Sequence, residues 1–210
     1  REIAVRYGDG GYGRRPDVLQ YNSDIMELAR KGVTSFHVSE ERWHNPLQIV
    51  TGMPRKELDS IRSGWDCVLD IDSAYFEYSQ ITTHLLLEAL KFYGIKSCGV
   101  KFSGRKGFHI IIPFEAFPSE VGGKPIKSMF PEGPRMIADF LGNMIFNKLS
   151  ERILAEQKIE EIAKLTGKDM GSLMLDGKFN PFSVVDIDTI LIASRHLFRS
   201  VYSINEKSGL

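Results

Sequence analysis

The sequence predicts a mixed α/β (α+β) fold, in which a central mixed β-sheet is flanked by helices and a small helical block lies beside it. Short apolar segments such as residues 67–77 and 108–114 predict strands. An amphipathic segment that ends at a glycine, residues 82–94, predicts a helix. Strands and helices follow one another without a regular βαβα order, which favours a mixed sheet over a purely parallel one.

The remaining elements follow from the same patterns in chain order. The alternating residues 1–7 predict a strand, which leads into the glycine-rich turn of residues 8–15. The first helix is expected at residues 22–32, with Asn22 or Ser23 as its N-cap and Gly32 as its terminator. Further strands are expected at residues 35–43, 97–103, 183–198 (with a helix or a second strand in its latter part) and 201–210, helices at 54–64 and 134–165 (broken once), a loop at 119–133 and irregular structure at 170–181.

A length of 210 residues allows one large domain or two small ones. We expect a single domain over residues 1–210, with residues 134–180 as a candidate helical subdomain, excised from a longer chain because it starts at Arg1. The 27 basic and 27 acidic residues cancel, which argues against a highly basic coat but leaves room for a local basic patch. No apolar run approaches the ~20 residues that span a bilayer, and no signal peptide is present, so a cytoplasmic location without a membrane partner is expected. Cys67 and Cys98 are expected to be buried and reduced, and two cysteines are too few for a zinc module.

Two aspartates interrupt the apolar segment "CVLDIDSAYFE". Side chains alternate along a strand, so Asp70 and Asp72 share one face at a Cα separation of about 6.6 Å. Two unpaired carboxylates there would repel each other, whereas a hard divalent cation takes oxygen ligands and neutralises the pair. The alternative is an ordinary strand end whose aspartates cap turns or pair with arginine.

A second apolar segment, "SVVDIDTIL", repeats the pattern with Asp186 and Asp188. One further carboxylate beside the first pair would complete a two-metal site. Here too, the alternative is a strand end whose aspartates cap the following segment.

A glycine-flanked turn, "SGRKGFH", contains Ser103, Arg105, Lys106 and His109. Its glycines let backbone N–H groups approach a ligand closely, and a hydroxyl, two cations and an imidazole at one tip would suit a triphosphate. The alternatives are a solvated hairpin with exposed cations and a half-buried histidine.

These motifs, in this order, resemble those of the archaeo-eukaryotic primase superfamily, in particular its small catalytic subunit. The segments "REIAVRYGDGGYGR", "LDIDSAYFE", "SGRKGFH" and "VVDIDTILIASRHLFRSVYSINEKSGL" resemble its opening strand and turn, first metal motif, S-G-x-R-G-x-H motif and closing motif. The resemblance implies the superfamily's catalytic core, with Asp70, Asp72 and Asp186 (alternatively Asp188) as catalytic metal ligands for Mg²⁺ or Mn²⁺. It also implies a set of nucleotide-binding residues: Arg14, Ser103, Arg105, Lys106, His109, Arg199, Ser203, Asn205 and Lys207.

Three departures from the family pattern stand out. Lys106 replaces the usual arginine and keeps the charge but not the fork of donors. Asn205 replaces a histidine, so that a hydrogen bond to phosphate or sugar survives without a charge. The two cysteines cannot supply the family's usual zinc-binding module.

The activity implied by the resemblance is template-directed nucleotidyl transfer: a primase-polymerase, either a DNA or an RNA polymerase, associated with the nucleoid. The expected partners are a single-stranded DNA template, nucleoside triphosphates and additional domains or a partner subunit. Candidate template contacts are the cations of residues 119–135 and the rings of Tyr75 and Phe76, for which core packing is the alternative. Three alternative functions stay open: a gap-filling repair polymerase of the same superfamily, a metal-dependent nuclease or other phosphoryl-transfer enzyme, and a non-catalytic nucleic-acid-binding module.

Overall fold

The computed structural model describes all residues from Arg1 to Leu210. Five helices form: α1 (Asn22–Arg30), α2 (Arg55–Ile61), α3 (Phe76–Phe92), α4 (Glu132–Glu156) and α5 (Ile159–Thr166). The strands are β1 (Ile3–Tyr7), β2 (Val33–Ser39), β3 (Glu41–Trp43), β4 (Arg62–Trp65), β5 (Cys67–Ser73), β6 (Gly99–Phe102), β7 (Phe108–Ile112), β8 (Glu120–Val121), β9 (Lys124–Pro125), β10 (Met174–Leu175), β11 (Lys178–Phe179), β12 (Val185–Asp188) and β13 (Leu197–Arg199).

Two sheets contain most of the strand residues. One has four strands in the order β12-β5-β7-β6, and the other has three in the order β1-β2-β13. The predicted mixed α/β class is confirmed, although every strand pair is antiparallel and the central sheet is therefore not mixed. β5 and β6 run in the same direction on either side of α3, but β7 inserts between them and is antiparallel to both.

Alternation along β5 divides its side chains between two environments. Cys67, Leu69 and Ile71 are fully buried in the main apolar core, whereas Asp70 and Asp72 lie on the opposite face. Helices α3 and α4 cover the apolar face and contribute buried leucines and isoleucines to it: Leu85, Leu86, Leu90, Leu141, Ile145 and Leu149. The helices therefore pack on one face of the four-stranded sheet, and the face that carries the aspartates lies outside the apolar core.

Residues 134–180 add side chains to that same core. Leu149 of α4, Ile162 of α5 and Leu173 belong to one apolar cluster with Leu69 of β5. As predicted, the long helical stretch is broken once, between Glu156 and Ile159. None of the helices combines the length and the apolar character that crossing a membrane requires.

The chain ends differ from their predictions. Helix α1 ends before Gly32 as expected, but Tyr21 occupies its N-cap position, and the Asp24 carboxylate accepts the N–H groups of Gln20 and Tyr21 at 2.8 and 2.9 Å. The strand predicted at residues 201–210 is wrong, because this segment folds into turns closed by its own backbone. Asn205 N–H, for example, donates to Leu210 O at 2.7 Å.

Cys67 is buried and unpaired as expected, whereas Cys98 is only partly buried.

Buried ion pairs fix the connection between β12 and β13. The Glu41 carboxylate, with no exposed surface, accepts Arg62 Nη2 at 2.6 Å and Ser194 Oγ at 2.9 Å. Glu2, equally buried, accepts Arg195 Nη2 at 2.8 Å. These bonds tie the loop that precedes β13 to strands elsewhere in the molecule, and they therefore set where β13 can lie.

Glu40, between β2 and β3, is a buried acid without a partner. The residue is 2% exposed, and neither carboxylate oxygen has a hydrogen-bond partner. Burial, together with the nearby Glu41 and Asp66, raises the pKa of Glu40 to about 9. The folded protein therefore holds this side chain in its neutral form at pH 7.

We predict that Glu40→Gln flattens the pH dependence of stability. Between the ordinary glutamate pKa and about 9, the folded protein binds one more proton here than the unfolded chain, so the free energy of unfolding falls as pH rises. Glutamine does not titrate, and the variant should lose a slope of about 1.4 kcal/mol per pH unit. Urea unfolding at pH 6, 7 and 8 measures the difference, and parallel curves for both proteins would contradict the prediction.

Candidate active site

The register of β5 and β12 gathers the two D-I-D motifs. Asp72 lies directly opposite Asp186, and Asp70 directly opposite Asp188. Directly opposed residues of an antiparallel pair share a face at Cα separations of about 4.5–5.5 Å. All four aspartates thus lie on one face, which we call the carboxylate face.

The carboxylate face carries uncompensated negative charge. No lysine or arginine lies within ion-pair distance of these four side chains. Their one contact with a basic side chain joins His109 Nε2 to Asp70 Oδ1 at 3.4 Å. Burial and the neighbouring Asp72 and Asp188 raise the pKa of Asp70 to about 6. Burial and Asp188 likewise raise the pKa of Asp186. The pairing with arginine that was the alternative for Asp70 and Asp72 is absent.

Asp186 and Asp188 differ in what they already bind. Asp188 Oδ1 accepts the backbone N–H groups of Ile190 and Leu191 at 2.8 and 3.0 Å, so Asp188 caps the turn after β12. Asp186 is exposed and borders two cavities, of about 460 and 340 Å³. Of the two, Asp186 is the freer to bind a ligand.

His109 lies beside Asp70 on the same face. Burial and the nearby cations Lys101 and Arg199 lower the pKa of His109 to about 3. Its contact with Asp70 is therefore that of a neutral imidazole with a carboxyl group rather than an ion pair. The other ring nitrogen, Nδ1, is buried and has no partner. His109 thus has spare hydrogen-bonding capacity next to the aspartates.

The chemistry of these side chains fits a hard divalent cation, but their present positions do not form a ready site. Carboxylate oxygens are the ligands that Mg²⁺ and Mn²⁺ prefer, and a cation would relieve the mutual repulsion of these groups. No three His, Cys, Asp or Glu side chains stand as a ready metal-binding group, however. Binding would require the carboxylates to turn toward one another on their strands.

The turn of residues 103–107 lies against the carboxylate face. Ser103 N–H donates to Gly107 O at 2.9 Å, and Gly107 N–H donates to Ser103 Oγ at 3.2 Å. A Cβ added to Gly107 would overlap Ile71 O and would lie 3.2 Å from Asp72 Oδ1 and 3.3 Å from Ser103 Oγ. The side chains of Ser103 and Asp72 therefore lie on either side of Gly107, where only glycine leaves enough space.

The two cations of this turn have different surroundings. Arg105 is exposed at the tip. Lys106 Nζ donates to Ala74 O at 2.5 Å and lies 5.9 Å from the ring centroid of Tyr75. Lys106 is thus held toward the end of β5.

The closing segment supports the turn from the other side. Arg199 Nη1 and Asn205 Nδ2 both donate to Ser103 O, at 3.3 and 3.1 Å. Ser203 Oγ accepts Phe36 N–H at 2.8 Å, and Asn205 is buried, so these two predicted ligand contacts already make internal hydrogen bonds. Lys207 is exposed.

Arg14 has no hydrogen bond or ion pair to this group. It is exposed on the turn after β1. The hydrogen bonds and contacts described above thus join residues of three of the four motifs, and Arg14 takes part in none of them.

Lys101 is a site residue that the sequence reasoning missed. It lies opposite His109 in the register of β6 and β7, and its Nζ donates to Arg199 O. Burial and Arg199 lower the pKa of Lys101 to about 8. Its position on β6 could have been inferred from alternation, but its neighbour in β7 depends on the register, which the sequence does not give.

A cavity of about 460 Å³ opens beside the Asp72–Asp186 pair. Its other lining residues include Tyr75, Lys168 and Phe182. Tyr75 is partly buried against the core and its hydroxyl donates to Leu165 O at 2.6 Å, whereas Phe76 is exposed. Core packing therefore accounts for Tyr75.

Comparison with known proteins places the fold. No protein-family model matches the chain. An uncharacterized protein of Methanocaldococcus jannaschii, MJECS07, is 30% identical over 138 residues, which cover 64% of this chain but only 29% of that protein. The polymerase domain of Mycobacterium tuberculosis ligase D, solved in complex with DNA, superimposes with a TM-score of 0.53 at 13% identity over 99% of this chain and 70% of that domain. The chain therefore shares its fold with a polymerase domain.

We predict that Gly107→Ala destabilises the protein and displaces the 103–107 turn. The new methyl group would meet the carbonyl oxygen of Ile71, which is backbone and cannot move aside cheaply. Overpacking of this kind costs about 1–3 kcal/mol, measurable by urea unfolding.

Gly99→Ala is the matched control, because a Cβ there meets nothing within 4 Å. Its stability should stay within about 0.5 kcal/mol of the parent protein. Equal effects of the two substitutions would show that Gly107 is not needed for the close approach.

Proposed function

We propose that this chain is a template-directed nucleotidyltransferase: a primase-polymerase that makes or extends RNA or DNA strands from nucleoside triphosphates. The observation that carries the proposal is the convergence of Asp70, Asp72 and Asp186 on one face, beside the turn of residues 103–107. Acidic groups next to a cationic, glycine-containing turn suit a reaction that moves a phosphoryl group between oxygens. The fold shared with a polymerase domain solved with DNA supports it.

The carboxylates of Asp70, Asp72 and Asp186 would hold Mg²⁺ or Mn²⁺, with Asp188 as the alternative to Asp186. When bound, such ions lower the pKa of an attacking 3′-hydroxyl and neutralise the pyrophosphate leaving group. Asp70 is more deeply buried than Asp72 and keeps its contact to neutral His109. His109 would thus orient this carboxylate through Nε2.

The residues around the turn would bind the triphosphate. Arg105, Lys106 and Arg199 supply positive charge, and the hydroxyl of Ser103 supplies a short-range donor. Asn205 would act through Ser103, whose carbonyl it holds. Lys207 and Arg14 are exposed, and their cationic side chains would contact the phosphates from the solvent side.

The template proposed here is single-stranded DNA. Phe76 and Phe102 are exposed by 37% and 38% and pack edge to face, with centroids 6.0 Å apart. Half-exposed aromatic rings next to the Arg105 and Lys106 cations match the combination that single strands use for stacking and backbone attraction. Phe76 is thus a better candidate contact than Tyr75.

A gap-filling polymerase that cannot start a strand is the second candidate. The observation that favours it is the structural neighbour, a polymerase domain of a protein named as a ligase. A nuclease would use the same aspartates but has no need of a cationic turn.

We predict that Asp70→Asn abolishes strand synthesis and weakens Mn²⁺ binding. The substitution removes one of the carboxylate charges that would hold the cation, and losing such a ligand should lower activity by at least about a hundredfold. Primer extension measures the activity, and calorimetric titration with Mn²⁺ measures binding independently of it. Glu151→Gln, which removes a charge from an exposed position of α4, is the matched control and should leave both unchanged.

Full primer extension by Asp70→Asn would overturn the assignment of this carboxylate. A parallel reaction with template and nucleotides but no primer separates the two candidate functions. Product in that reaction supports the primase-polymerase, whereas product only with a primer supports the gap-filling enzyme. No product in either, with degradation of the template, would support a nuclease.

We predict that Asp186→Asn and Asp188→Asn differ. Asparagine at 188 can still accept the two backbone N–H groups that Asp188 binds, so this variant should keep its turn and most of its activity. Asparagine at 186 removes the freer carboxylate and should lower Mn²⁺ affinity by about tenfold or more. Titration of both variants with Mn²⁺ decides the third ligand, and the reverse order of affinities would assign it to Asp188.

A further inference from the structure

Three donors from three different strands converge on the Glu206 carboxylate. Ser35 Oγ donates to Oε1, Arg199 Nη2 donates to Oε2 at 3.2 Å, and Arg6 Nη1 lies 3.8 Å from Oε2. Arg6, Ser35 and Arg199 belong to β1, β2 and β13, the three neighbours of one sheet. The donors are thus fixed by the sheet, whereas Glu206 comes from the turns of the closing segment.

The donor group carries more positive charge than Glu206 neutralises. Arg6 and Arg199 supply two permanent charges against one carboxylate, and Lys101 is bound to the backbone of Arg199. Arg199 Nε is buried and has no hydrogen-bond partner. An anion with more charge and more oxygens than a carboxylate would satisfy this group better.

The group lies next to the proposed nucleotide site. Arg199, which binds Glu206 through Nη2, binds Ser103 O through Nη1. Two cavities meet the group: one of about 440 Å³ is lined by Arg6 and Glu206, and one of about 510 Å³ is lined by Lys101, Ser103 and Arg199. Both have room for a chain of phosphates.

We propose that Arg6, Ser35 and Arg199 form a phosphate subsite that Glu206 fills in the free protein and leaves when a phosphate arrives. In this exchange the Glu206 carboxylate gives up its hydrogen bonds from Ser35 and Arg199 and its ion pair with Arg6, and phosphate oxygens take its place. The inference deepens the proposed function and rests on it only for the identity of the ligand, the triphosphate tail of a nucleotide. A backbone phosphate of a nucleic acid offers the same oxygens and is the second source to test.

Calorimetric titration with inorganic tripolyphosphate, without metal, tests the exchange. Glu206→Gln removes the competing charge and should bind tripolyphosphate about tenfold more tightly than the parent protein, as expected when a competing state is removed. Glu27→Gln, which breaks an exposed pair with Lys31 in α1, is the matched control and should bind as the parent does. Unchanged or weaker binding of both tripolyphosphate and a short single-stranded oligodeoxynucleotide by folded Glu206→Gln overturns the proposal.

Arg6→Gln covers the case in which Glu206→Gln does not fold. Arg6 has 28% of its side chain exposed, lies 3.8 Å from Glu206 and stacks over the partly solvated ring of Tyr12 at 5.6 Å, so its loss should be tolerated. This variant should bind tripolyphosphate about tenfold more weakly than the parent, because one of the two subsite guanidiniums is gone. Full affinity in Arg6→Gln overturns the proposal by itself.

A second titration, with a short single-stranded oligodeoxynucleotide, assigns the source of the phosphate. A gain in Glu206→Gln for tripolyphosphate assigns the subsite to the nucleotide tail, and a gain for the oligonucleotide alone assigns it to the nucleic-acid backbone. Neither titration involves strand synthesis. If Glu206→Gln gains phosphate affinity but the parent protein never extends a primer, the subsite stands and the proposed function fails. If the parent protein extends a primer but Glu206→Gln gains no phosphate affinity, the proposed function stands and the subsite fails.

Discussion

The antiparallel pairing of β5 with β12 forces like charges together. Its register sets Asp72 against Asp186 and Asp70 against Asp188, and the core on the other side prevents either strand from turning its aspartates inward. A shift of one residue in either strand would exchange apolar and acidic side chains, and the burial of Ile71 and Ile187 opposes it. Packing of the apolar face thus maintains an electrostatic conflict on the opposite face.

That conflict has consequences for the residues around it. The negative charge of Asp188 is partly compensated by two backbone N–H groups that donate to it, while Asp70 has only neutral His109 as its partner. The 103–107 turn brings positive charge close but does not pair with the aspartates. Negative and positive groups therefore remain separate across Gly107, an arrangement that a ligand carrying both cations and phosphates would complete.

The three-stranded sheet connects this site to the rest of the chain. Arg199 of β13 reaches Ser103 with one nitrogen and Glu206 with another, and the buried pairs of Glu2 and Glu41 hold the loop that leads to β13. The buried carboxylates of Glu2 and Glu41, which stabilise the fold, thus also help to position Arg199 in the site. The closing segment, which folds into turns instead of a strand, places its Asn205 and Glu206 against the sheet rather than within it.

The sequence by itself determined the fold class, most helices and the faces of the strands, because periodicity and glycine positions are local properties. It placed Asp70 and Asp72 on one face of β5, and it grouped Ser103 with Lys106 and His109. Only the tertiary structure decided that β7 separates β5 from β6, that Asp186 is free while Asp188 caps a turn, and that Lys101 and Glu206 adjoin the site. Strand register and long-range ion pairs join residues up to about two hundred positions apart, and no local pattern encodes which distant group will be the partner.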